Sequence, residues 1–330
     1  MVQTVGRLAA WHRKARFTAG FLLVGIALGG CAGLLPQSSA LHDQPPADLP
    51  PRAELREVPF HAQEEYHCGP ASLAMAVNAA GLDATVEELV DQVYLPGRKG
   101  SLQIEMLAAA RRRGLVAYPL EPRLTDVLRE VAAGTPVITL ENYGFKIMPR
   151  WHYAVVVGYD LAAGELVRRS GLTPRQTMPF HVFEYVWKGD GHWAMVAVPP
   201  DRLPATASES RYAQAVAALE RTGQVRIART AYETMLKRWP SSLAGWIGSG
   251  NTAYALGDLA AAESAFAQAV QAHPDAAAAH NNLAHVLAER GKIPEALAAA
   301  ERAVSLGGPL LSSAQATLAE IRKKAGAEVR

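Results

Sequence analysis

The sequence predicts an α+β domain followed by an all-α helical repeat solenoid, on three observations. Between residues 68 and 134 apolar residues recur at helical spacing in four segments, three of them stopped by a glycine. Between 137 and 198 the pattern changes to short apolar runs that read as strands, and helices followed by an antiparallel sheet is an α+β order. After Pro199-Pro200 the composition turns alanine-rich and repeats every 34 residues, the period of stacked helix pairs.

The first element is not part of that fold. Arg7, Arg13, Lys14 and Arg16 precede the apolar run Phe21 to Leu28, which is too short for the ~20 residues that span a bilayer and has the form of a signal-peptide core. Leu28-Gly29-Gly30-Cys31 follows and resembles the lipobox of bacterial lipoproteins. That resemblance implies cleavage before Cys31 and diacylation of its thiol. Ala32, rather than Asp, after the cysteine implies the outer membrane of a Gram-negative cell, with the body in the periplasm. The alternative is an uncleaved membrane anchor with an incidental cysteine. Residues 1–30 are thus expected to be a lipoprotein signal peptide. Residues 31–56, with Pro36, Pro45, Pro46, Pro50 and Pro51 in a polar stretch lacking periodicity, are expected to be a lipidated, extended linker.

Residues 57–200 form the first domain. Its helices are expected from Cys68 to Gly81, over 85–93 with Thr85 and Glu88 as a capping box, over 102–113, and over 124–133. The Arg111-Arg112-Arg113 run reads as a solvated last turn. Strands are expected over 137–140, 152–159, 165–169 and 193–198, with an aromatic helix or turn over 180–187. A short linker, 201–208, leads to the repeats of 209–325. There Gly223, Gly257 and Gly291 keep the step of 34, as do Ala228, Ala262 and Ala296, and Pro240 and Pro274. This is the tetratricopeptide signature, and Leu310 to Ala325 supplies a closing helix. Asn251, Asn281, Asn282 and Lys292 are candidate polar residues of a groove that binds a peptide or partner protein.

Composition removes several function classes. A formal charge of +2 falls to −2 without the four basic residues of 1–30, so no basic excess points to nucleic acid. With two cysteines, Cys31 assigned to lipid, Cys68 has no disulfide partner and a structural zinc site lacks ligands; no cofactor or metal is expected. Cys68 opens a helix, where free N–H groups and the helix dipole favour the thiolate, so a low-pKa nucleophile is expected; the alternative is a buried core cysteine. Gln63 lies upstream, and His152 begins the run His152-Tyr153-Ala154-Val155-Val156-Val157-Gly158-Tyr159. His61, His67 and His192 rank below His152 as candidate bases.

Gln63, Cys68-Gly69-Pro70-Ala71 and the His152 strand together resemble the papain-like cysteine peptidases of the bacteriocin-processing, double-glycine leader peptidase type, over about residues 57 to 200. The resemblance implies that Cys68 attacks, His152 is the base and Gln63 lends a side-chain N–H to the oxyanion. The family often separates the Gln and Cys by six residues; here the spacing is five. The family also has an Asp on the strand after the His. This chain has none there, and Asp160 is roughly 26 Å along the strand at ~3.3 Å per residue. Counting register across a hairpin at 160–164 brings residues 170–173 opposite His152, so Ser170 is expected to orient the imidazole, with Asn142 as the fallback. The activity implied is peptide hydrolysis at a membrane-anchored site, with the repeats recruiting substrate or partner. The alternatives are a catalytically silent adaptor and a cell-wall amidase.

Overall fold

The computed structural model describes residues 35–328. The stretch that ends at Cys31 lies outside the described residues. Among those described, no helix is long and apolar enough to cross a membrane.

Seven strands make one sheet: β1 (Arg52–Glu54), β2 (Val116–Pro119), β3 (Val137–Asn142), β4 (Trp151–Asp160), β5 (Glu165–Ser170), β6 (Thr173–Pro179) and β7 (Ala194–Val198). All pairings are antiparallel, in the order β2-β7-β3-β4-β5-β6, and β1 adds to the end of β4 that β3 does not reach. The helices are α1 (Pro36–Asp43), α2 (Cys68–Ala79), α3 (Val86–Val93), α4 (Gln103–Arg112), α5 (Leu124–Ala132) and α6 (Phe180–Trp187). Side chains alternate across β4, so its two faces build two cores. Tyr153, Val155 and Val157 pack with Leu73, Met75, Leu89 and Met106 of α2, α3 and α4. Val156 packs on the other face with Val127, Leu128, Phe183 and Trp187 of α5 and α6. A sheet covered on both sides explains why β7 and the middle of β4, Tyr153 to Val157, are continuous apolar runs.

Helices α2 to α6 stand where the periodicity places them, and Thr85 and Glu88 form the capping box in full. The Arg run is only partly solvated. Arg113 pairs with Glu88, whereas Arg111 is half-buried, its Nε has no partner and burial lowers its pKa.

The N-terminal segment departs from expectation. Residues 36–54 are not an extended linker but part of the domain. The Glu184 carboxylate accepts from the backbone N–H groups of Gln37 (3.0 Å) and Ser38 (2.7 Å) at the start of α1. Leu41 and Leu49 are buried, Arg129 pairs with Asp48, and β1 joins the sheet. Strands β2 and β6 were likewise not expected; β6 is the sheet's edge, where Pro174 and Pro179 are tolerated.

The C-terminal half is a row of antiparallel helices: α7 (Glu209–Glu220), α8 (Val225–Arg238), α9 (Leu243–Ala255), α10 (Leu259–Ala272), α11 (Ala277–Glu289), α12 (Ile293–Leu306) and α13 (Leu311–Glu328). Gly223, Gly257 and Gly291 turn each pair with φ of 82°, 77° and 74°, a left-handed conformation that costs glycine little. Gly250 lies against the Phe266 ring, so α9 and α10 cross closely. Asn282 donates to Asn251 (3.4 Å), while Lys292 is held by Glu263 (2.8 Å) rather than left free.

The two halves share one core, since Tyr212, Val216 and Tyr232 pack with Val116 and Tyr118 of β2. The connection over 201–208 is pinned as well. The buried Glu130 carboxylate accepts from Ala205 N (3.1 Å), Thr206 N (2.8 Å) and Thr206 Oγ1 (2.6 Å), and Ser208 N donates to Tyr118 Oη (3.2 Å).

Candidate active site

At the end of the sheet where β4 begins, a cleft of about 1030 Å³ is lined by Cys68, Gln63, His152, Ser170, Ser101 and Tyr143. Cys68 is the first residue of α2, and nine residues of that helix, Gly69 to Val77, are buried, so the thiol is delivered by a rigid element. Gly69 is required by packing: a Cβ there would run into the Ser101 side chain.

The thiol is not the low-pKa group that its helix position suggested. Burial pushes it up, and the amide N–H groups of Tyr153, Gly69 and Cys68 itself pull it only part of the way back. Helix N–H groups favour a thiolate, but removing a charge from water disfavours it, and here the second effect is larger.

His152 is half-buried, and burial lowers its pKa; Glu141 opposes this, while Arg168 and Arg150 add to it. Its Nε2 lies 2.8 Å from Ser170 Oγ, which leaves Nδ1 as the nitrogen free to meet a reacting group. The register Val155↔Arg169 and Val156↔Arg168 places Ser170 diagonally across from His152 on the same face. Asn142 is not at the imidazole. Its Oδ1 accepts from Gly144 N (2.8 Å) and Arg150 N (2.9 Å), closing the β3–β4 loop. Among the side-chain hydrogen bonds of the described residues none joins Cys68 to His152. Tyr153 turns to the α2 side of the sheet, and the adjacent His152 turns to the side of Ser170.

Gln63 is buried, and its amide is fully engaged. Nε2 donates to Ser72 Oγ and Tyr153 O, both 3.1 Å, and Oε1 accepts from Gly171 N at 2.7 Å. No amide hydrogen is left over for an oxyanion in this arrangement. Gln63 instead ties α2, β4 and the Ser170-Gly171 turn together. His61 is held by Asn78 (2.8 Å), His67 stands edge-on to Tyr94 and His192 edge-on to Trp187.

Glu141 and Arg168, not among the residues expected from the sequence, form an ion pair whose side chains are 0% and 2% exposed. Glu141 pairs directly with His152 across β3 and β4. The available signal was a lone acid in the apolar strand of residues 137–142 and an arginine at an inward position of β5.

Comparison with known proteins agrees with this layout. Residues 55–195 match the family model described as Peptidase_C39 like family, and residues 212–263 and 247–309 match that of the tetratricopeptide repeat. No curated protein matches the chain. Among solved structures, the type III secretion translocator chaperone SycD of Yersinia enterocolitica is 15% identical, with 36% of this chain and 85% of that one covered and a TM-score of 0.34. TTC0263, a thermophilic TPR protein of Thermus thermophilus, is 22% identical, covering 36% and 66%, with a TM-score of 0.33. The TPR2B domain of yeast Sti1, in a complex with pHsp70, is 15% identical, covering 36% and 99%, with a TM-score of 0.34. The chain thus joins a domain, residues 55–195, that matches the Peptidase_C39 like family to an array of tetratricopeptide repeats.

Proposed function

We propose that the chain is a cysteine peptidase, anchored through lipid on Cys31 to the periplasmic side of the outer membrane, whose repeats recruit its protein substrate or a partner. The observation that carries the chemistry is the shared cleft, lined by a helix-start cysteine and by a histidine already oriented by a hydroxyl. His152 takes the thiol proton as Cys68 Sγ bonds to the scissile carbonyl carbon. The carbon–nitrogen bond then breaks, and the amine leaves with that proton. Water hydrolyses the thioester and restores the thiol. The N–H groups of Cys68 and Gly69 at the head of α2 are the donors available to the oxyanion. Burial works against charge on both the thiol and the imidazole, which favours proton transfer that accompanies attack over a preformed ion pair.

One observation favours a second reading, a peptidase-fold adaptor that acts through its repeats: the thiol and imidazole are not hydrogen-bonded to each other at rest. A thiol-directed peptide probe separates the two. Labelling at Cys68, abolished by His152→Ala, together with cleavage by the wild-type chain of the proteins captured on Cys68→Ala, supports the peptidase. No labelling and no turnover on any peptide pool leaves the adaptor. Ser170→Ala is expected to lower turnover far less than Cys68→Ala, because a hydroxyl orients the ring without contributing charge. For the anchor, loss of acyl mass in Cys31→Ala is the expected result; a wild-type protein without acyl mass removes that part of the proposal.

A further inference from the structure

The proposed reaction leaves one buried charged cluster unused, and that cluster lies against its base. Glu141 and Arg168 are removed from solvent, an arrangement that requires each to satisfy the other. Glu141 is the direct cross-strand partner of His152, so the two side chains rise from the same face of the sheet. Tyr143 closes the group. Its hydroxyl donates to Glu141 Oε2 (2.6 Å) and accepts from Arg168 Nη2 (2.6 Å), and its ring stands edge-on to the imidazole with centroids 5.8 Å apart. Thr139 Oγ1 donates to the other carboxylate oxygen (3.1 Å), and Gln176 Oε1 accepts from Arg168 Nη2 (2.9 Å). Every oxygen of the Glu141 carboxylate is therefore held in place. Ser170 orients the ring but brings no charge, and the strand after His152 carries no carboxylate opposite the ring.

We propose that Glu141, fixed by Arg168 and Tyr143, is a positioning residue that supplies the negative charge behind the His152 imidazolium, in place of a carboxylate hydrogen-bonded to the ring. The inference rests on His152 acting as the base. Besides Glu141, the charged groups that act on the ring are Arg168 on β5 and Arg150 ahead of β4; Tyr143 stands edge-on to it, and Cys68 lines the same cleft. Arg168 and Arg150 oppose a proton on the ring, and Glu141 is the group that favours one; its influence exceeds that of either arginine.

The test is the protonation midpoint of the His152 imidazole, read by NMR in the full chain carrying Cys68→Ala, with the signal assigned by its loss in His152→Gln. Glu141→Gln is expected to lower the midpoint by about one unit, within the range that an opposite charge at close approach produces. Glu141→Asp is expected to restore most of that shift. Because Glu141→Gln strands Arg168 as an unpaired buried charge, a Glu141→Gln, Arg168→Met double variant guards against a folding failure. Because Arg168 opposes a proton on the ring, the comparison is with Arg168→Met alone, below which the double variant's midpoint is expected to lie. A folded Glu141→Gln variant with an unchanged midpoint, or a double variant whose midpoint is no lower than that of Arg168→Met, overturns the proposal. A lowered midpoint, alongside a chain with Cys68 intact that cleaves no peptide, supports the charge coupling and counts only against the peptidase reading.

Discussion

Replacing Gln63 by Ala distinguishes a structural bracket from an oxyanion donor. The substitution removes three hydrogen bonds and leaves Tyr153 O and Gly171 N without partners, the first buried and the second half-buried. An unsatisfied buried polar group costs about 1–3 kcal/mol, so the full cost at Tyr153 and a reduced one at Gly171 give about 2–4 kcal/mol. For a unit of this size each kcal/mol is worth roughly 2–4 °C, so the melting transition is expected to fall by roughly 4–16 °C. Gln63→Glu keeps the acceptor for Gly171 N and places an oxygen against Tyr153 O, so it too is expected to destabilise. Calorimetry or circular dichroism gives the melt, and peptide turnover well below the transition gives the activity. An unchanged melt with turnover lost by about 100-fold or more, the effect of removing an oxyanion donor, would refute the bracket and return Gln63 to the oxyanion role.

The raised thiol predicts that iodoacetamide alkylates Cys68 slowly at neutral pH, with a rate that climbs as pH rises through and beyond the ordinary cysteine range of about 8.5. A fast plateau between about pH 6 and 7 would instead reveal a preformed thiolate–imidazolium pair. Because His152 is lowered, it stays neutral as pH falls past the ordinary histidine range, so its capacity as a base is expected to persist to below about pH 6.5 on the acid limb of turnover. Gly250→Ala pushes a methyl group into the Phe266 ring, and at about 1–3 kcal/mol of overpacking the repeats are expected to melt earlier while Cys68 labelling is retained. Glu130→Ala leaves the two backbone N–H groups and one hydroxyl at 205 and 206 without their acceptor; limited proteolysis is expected to cut within 201–208, where the wild type resists.

What the sequence disclosed depended on how local the signal was. Helix α2, the Thr85 capping box and the 34-residue glycine step are patterns within a few turns, and they stand as read. The contact between Ser170 and His152 followed from counting residues around one hairpin. The missed features all bridge long separations. Helix α1 is fixed by Glu184, a residue 146 positions away, so its proline-rich surroundings looked like a tether. Strand β6 carries two prolines and is exposed at most positions, which conceals a strand from any count of apolar residues. The Glu141–Arg168 pair spans 27 residues, and nothing near either one indicates that the other neutralises it. The thiol's raised pKa was out of reach for the same reason, because Cys68 packs against a core whose members are spread from Val58 to Ala197.

The docking of α1 and β1 acts on the proposed anchor as a very short leash. Once the chain is clamped at Gln37 and Ser38, only residues 32–35 remain between an acylated Cys31 and the first turn of α1. Four residues at full stretch reach about 14 Å, roughly the width of a helix with its side chains. An extended linker over the whole of 32–56 would have let the enzyme sample the periplasm. This one would hold it close to the bilayer, and the joint pinned at Glu130 would make the repeats turn with it. Reach, more than any groove, would then set which proteins are cut: those delivered to the membrane face, within the span of a body that cannot swing away from it.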